Sequence, residues 1–123
     1  MDIRIKTREY QLTPDVSAYL DGRVRSIEKM LADEAEGARC EVELGRDAGR
    51  PRHGANIFFA EMHVICPGGP HVYATNHAQS INAAIDDVKE EIERQLRREK
   101  KLHIRLYRKG GAFAKRMLRF GRE

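Results

Sequence analysis

Apolar and charged residues alternate through residues 2–8, placing Ile3 and Ile5 on one side, and this two-residue period predicts a strand. The period then lengthens: Val16, Leu20, Val24, Ile27 and Leu31 recur at helical spacing and predict a helix from about residue 14 to about 32. Thr13-Pro14-Asp15 suits its start, with a hydroxyl that can cap, a proline whose fixed φ fits the first position, and an acid at the positive end of the dipole. Gly22 lies inside this helix, where it costs about 1 kcal/mol relative to Ala. Alternation returns over 39–45. Cys40, Val42 and Leu44 face one way and Glu41 and Glu43 the other, the pattern of a half-buried strand. Gly45 to Gly54, with Arg46, Arg50, Pro51 and Arg52, predicts an exposed basic loop. A third strand follows over 55–66, a turn at Pro67-Gly68-Gly69-Pro70, and a short fourth strand over 71–76. Ile81, Ala84, Ile85, Val88, Ile92 and Leu96 make a continuous stripe, so a second helix is expected from about 80 to about 102, with Ser80 or Asn76 as its cap.

The order is β-α-β-β-β-α. In 123 residues this predicts one α+β domain with one core, a two-layer sandwich of a four-stranded sheet with two helices on one face. The domain is expected over 1–102. Residues 103–123 are expected to be a basic tail, interrupted at Gly110-Gly111, whose last part can form a short amphipathic helix with Phe113, Met117 and Phe120 on one side.

Charge changes this picture. Residues 97–123 carry 11 Lys/Arg against two acids, a net +9, whereas residues 1–96 carry 12 against 17, a net −5. A basic end on an acidic body suits an anionic partner, although a tail that merely solvates the chain has the same composition. The helix faces say more. Arg94, Arg97, Arg98 and Lys101 fall opposite the apolar stripe of the second helix, within about 100° of one another. Arg105, Arg108 and Lys109 continue the run. On the first helix Arg25 and Lys29 share the solvent face, and Arg23 lies nearer its edge beside Tyr19 and Ser26. Dipole complementation explains bases late in a helix, but not their excess. Two basic helix faces side by side can contact phosphates across a groove, with steep salt dependence.

Other chemistry finds little support. No stretch approaches the ~20 apolar residues of a membrane span, and the charged N-terminus does not read as a signal peptide. Cys40 and Cys66 form no spacing motif and are expected to be reduced, structural thiols in a cytoplasmic protein. His53, His63, His71 and His77 have no metal-ligand spacing, and no metal or other cofactor is expected. Ser17, Ser26 and Ser80 read as helix or cap residues, and Asp86-Asp87 point about 100° apart on a helix, so no catalytic residue is assigned and an enzyme is not expected.

Leu12-Thr13-Pro14, Tyr19-Leu20 and Arg23-Val24-Arg25-Ser26-Ile27-Glu28-Lys29 resemble the first helix of the bacterial ribosome hibernation promoting factor / ribosome-associated inhibitor family, which includes sigma-54 modulation protein-like members. Ala83-Ala84-Ile85-Asp86 and Ile92-Glu93-Arg94-Gln95-Leu96-Arg97-Arg98 resemble its second helix. The resemblance covers about residues 1–102. It implies a fold similar to double-stranded-RNA-binding domains and a partner, the small ribosomal subunit with its 16S rRNA. It further implies docking in the mRNA/tRNA channel at the A and P sites and a block on translation under stress. Arg23, Lys29, Arg94 and Arg98 stand where the family usually has Lys or Arg. Ser26 and Glu91 stand where Lys is common, and Asn82 where Tyr is frequent. The dimerisation domain of longer members is not seen, so the chain resembles the short type. No small-molecule substrate or membrane partner is implied. Two rivals remain: a non-ribosomal module for structured RNA using the same face, and a membrane-surface or protein-partner adaptor using Phe113, Met117 and Phe120 with Lys115, Arg116 and Arg119.

Overall fold

The computed structural model describes residues 1–47 and 54–109, with side chains as far as residue 100. Its elements are β1 (Asp2–Arg8), α1 (Pro14–Leu31), β2 (Arg39–Arg46), β3 (Phe58–Ile65), β4 (His71–Ala78) and α2 (Ile81–Lys109), with a 3-10 turn at Ala32–Ala35. Strand order in the sheet follows chain order. β1 runs parallel to β2, a pairing that needs a crossover, which α1 supplies; β2–β3 and β3–β4 are antiparallel.

Register puts one set of side chains on the helix side. Cys40, Val42 and Leu44 pair with Val64, Met62 and Ala60, and Val64 and Met62 pair in turn with Val72 and Ala74. Leu20, Val24, Ile27 and Leu31 of α1 and Ile81, Ala84, Ile85, Val88, Ile92 and Leu96 of α2 complete the same core. Both apolar stripes are therefore consumed on one sheet face; on the other, Tyr73 is 48% exposed while Phe59 is buried beneath Arg8 and His77.

The ends of the helices follow from local chemistry. Thr13 Oγ1 accepts the Val16 N–H at 3.3 Å, and Pro14 takes the first position. Ser80 Oγ accepts the Ala83 N–H at 3.1 Å, whereas Asn76 lies in β4 and donates to Asp87 instead. The β3–β4 turn is closed by Gly69 N–H to Cys66 O at 2.8 Å, with Gly68 at φ 70°.

Several expected bounds shift: β3 starts at Phe58 rather than 55, and β4 runs on to Ala78 rather than ending at 76. Gly45, expected both to end the second strand and to open the loop, lies within β2: the Phe59 ring lies where its side chain would be, and a Cβ there would also come within 2.6 Å of the Arg8 carbonyl oxygen. The expected basic loop therefore starts after Arg46, and its residues 48–53 lie outside the described residues. The second helix continues to Lys109 rather than ending near 102. The expected short helix at 112–122 also lies outside the described residues.

Candidate nucleic-acid interface

α1 and α2 lie side by side, and the seam between them is polar where it meets solvent. Tyr19 and Arg23 are one turn apart and meet Asp86 together. Tyr19 donates to Asp86 Oδ2 at 2.5 Å, Arg23 Nε donates to Oδ1 at 2.7 Å, and Arg23 Nη2 donates to the Tyr19 oxygen at 2.9 Å. The guanidinium carbon stands 4.3 Å from the Tyr19 ring centroid. Burial pushes the Asp86 carboxyl up, but the bonds from Arg23 and Tyr19 outweigh it and hold its pKa below the usual carboxylate value. The Asp86 bond in turn raises the Tyr19 phenol. Arg23 is thus a fixed fork with N–H donors still left for another acceptor.

A second bridge lies two turns further along α2. Glu93 is buried and accepts Ser26 Oγ–H at 2.9 Å, while Lys89 Nζ stands 2.7 Å from its other oxygen. Ser26 therefore serves as a donor across the helix seam. Sequence reasoning missed both bridges, because which polar pairs meet depends on how the helices are rotated against each other.

The solvent-facing cations fall into two groups. Arg25 pairs with Asp21 at 3.0 Å, and Arg94 and Arg98 both reach Glu91, at 2.7 Å and 3.5 Å. Lys29 and Arg97 are exposed and have no ion pair among the described residues. Arg97 lines a cleft of about 450 Å³ at the end of α1 with Asp33 and Glu34, so it faces a different setting from Arg94 and Arg98. Lys101, Arg105, Arg108 and Lys109 belong to the α2 backbone, and their side chains lie outside the described residues. The longer helix matters to them. At 100° per residue, positions 94, 98, 101, 105 and 108 stay within about 80° of one another along about 21 Å of axis.

Other candidates lead elsewhere. Asp47 Oδ2 stands 2.7 Å from His77 Nε2, and the His77 ring lies against Phe59, over which Arg8 stacks at 4.4 Å. His63, His71 and Tyr73 make edge-to-face contacts on the open sheet face. Among the described residues no three His, Cys, Asp or Glu groups are placed to hold a metal ion. Cys40 and Cys66 are free and buried, and burial pushes their thiols up to about 12 and about 11, which makes both poor nucleophiles at neutral pH. No helix among the described residues is long and apolar enough to cross a membrane. What the surface offers is a basic row on one helix, a fixed arginine at the seam and further cations on the other helix.

Comparison with known proteins bears on what meets such a surface. Residues 3–103 match the model of a family described as Sigma 54 modulation protein / S30EA ribosomal protein. Among solved structures, the chain is similar to the N-terminal domain of Protein Y from Thermus thermophilus, with 24% identity and a TM-score of 0.61 over 80% of this chain and 98% of that one. It is also similar to a ribosomal subunit interface protein from Coxiella burnetii, with 11% identity and a TM-score of 0.64 over 82% and 99%. At these identities the structural likeness speaks for the fold. A search of curated proteins finds no match.

Proposed function

The chain belongs to the Sigma 54 modulation protein / S30EA ribosomal protein family, a family of ribosome-associated proteins, and from that premise we propose that it docks on the small ribosomal subunit and inhibits translation. Its partner is 16S rRNA in the mRNA/tRNA channel at the A and P sites, and its effect is to hold ribosomes inactive under stress in the cytoplasm. The observation that supports this reading most directly is the row of Arg94 and Arg98 on the solvent side of α2, inside the matched residues. Arg23, Arg25, Lys29 and Arg97 add cations on the same two helices, and Lys101, Arg105, Arg108 and Lys109 extend the row. The protein acts by occupancy rather than by catalysis: the described side chains offer a charged surface, and the two thiols are inert.

Each phosphate neutralised by Lys or Arg releases counterions, so affinity falls steeply with salt. The test is co-sedimentation with 30S particles at low and moderate salt. The protein is expected to comigrate at low salt and to be released as salt rises; absence from the 30S fractions at low salt overturns the reading. A structured RNA hairpin binding as tightly as intact 30S would favour a general RNA-binding module instead.

A further inference from the structure

Arg94 and Arg98 carry the docking row, yet neither is free. Arg94 meets Glu91 side-on, with Nε at 2.9 Å and Nη2 at 2.7 Å from the same oxygen, Oε2. Arg98 Nη2 lies 3.5 Å from the other oxygen, Oε1. That oxygen also accepts Gln95 Nε2–H at 3.1 Å. The Gln95 amide is itself pinned to the edge of β4: its Nε2 donates to Tyr73 O at 2.8 Å and its Oε1 accepts the Tyr73 N–H at 3.2 Å.

We propose that Glu91 is an internal competitor for phosphate, a residue that holds Arg94 and Arg98 in place of the nucleic-acid backbone and so sets the affinity and salt dependence of docking. An ordinary surface ion pair contributes little, because two long side chains must be ordered to make it. Here the carboxylate is anchored by a neutral amide fixed to the sheet, so part of that ordering is already in place. The Gln95 bond, followed by Arg94 and Arg98, holds the Glu91 carboxyl below the usual range, so it stays charged at every pH where RNA binding is relevant. The cluster of two arginines and one glutamate therefore presents one net positive charge to an incoming phosphate rather than two. A partner must displace Glu91 with a denser or better-shaped array of phosphates, which isolated or weakly structured phosphates do not supply.

The inference rests on the docking reading above, and the test separates their failures. Glu91→Gln keeps the shape of the side chain and its bond to Gln95 while removing the charge. Glu90→Gln removes the same charge one residue earlier, from an exposed glutamate with no ion pair among the described residues. Binding to 30S is measured for both variants and the wild type across a salt series, with thermal unfolding as the control for folding. Glu91→Gln is expected to tighten binding about fivefold at low salt, since the lost competition equals one or two surface pairs. Its log–log salt slope is expected to steepen by up to about 1 as another phosphate contact forms. Glu90→Gln is expected to change either quantity much less. Unchanged or weaker binding by Glu91→Gln overturns the competitor role, and so does an equal gain from Glu90→Gln, which would reduce the effect to net charge. If the wild type itself does not bind 30S, the docking reading fails and the competitor role fails with it.

Discussion

Single residues divide sharply by whether the fold leaves room around them. Gly22 sits on an exposed turn of α1, and beyond its chain neighbours and the local helix backbone nothing lies within 4 Å of where a Cβ would stand. Gly22→Ala is therefore expected to stabilise the protein by about 0.5–1 kcal/mol, read as a higher Tm, because the helix loses only the flexibility of glycine. Gly45 is the opposite case. Its substitution by Ala forces the Phe59 ring or the Arg8 backbone to move, and a loss of about 1–3 kcal/mol is expected in denaturant unfolding. Asp86 predicts a pH effect. Its pKa is depressed in the folded state, so its contribution to stability is complete above the unfolded value of about 3.9 and is lost as pH falls through the lower folded value. Asp86→Asn should lower stability at neutral pH and flatten the acid limb of the stability profile, leaving the slope above pH 6 unchanged.

At the scale of elements, the edge of β4 needs protection because an unpaired strand edge invites another chain. Gln95 meets that need from α2, bonding both the N–H and the carbonyl of Tyr73 as a neighbouring strand would. Gln95→Ala should lower stability by about 1 kcal/mol and speed amide exchange at Tyr73. Which elements form was legible in the sequence because their periods differ: Val16 to Leu31 and Ile81 to Leu96 repeat at helical spacing, and residues 39–45 alternate. The rest depended on contacts between elements. Gly45 can end the strand or open the loop until Phe59 is known to pair with it across β2 and β3. α2 ends later than its pattern predicts: its apolar stripe reaches Leu96, the last core residue among those described, while the helix itself runs to Lys109. Likewise the sequence marks Arg94 and Arg98 as basic and outward-facing, but says nothing of their shared bond to Glu91. The bridges from Arg23 to Asp86 and from Ser26 to Glu93 join residues far apart in the chain, and no local pattern announces them.

For the whole molecule, the segregation of charge is the property that function has to use. An acidic body with a basic end is oriented by an anionic surface before any contact forms. α2 carries the basic end as far as Lys109, and residues 110–123 lie outside the described residues. Truncation after Lys109 leaves α2 whole while removing Lys115, Arg116, Arg119 and Arg122. If those residues reach phosphate, the truncated protein binds 30S more weakly and with a shallower salt slope; an unchanged slope assigns docking to the helices alone.

The measurement that bears most directly on the central claim is 30S co-sedimentation of Arg94→Glu/Arg98→Glu beside the wild type. Both side chains are more than half exposed, at 57% and 68%, so thermal unfolding should show a folded domain. The folded double variant is expected to be lost from the 30S fractions at salt concentrations where the wild type is retained. Retention of the folded variant at wild-type levels would contradict docking through this face of α2.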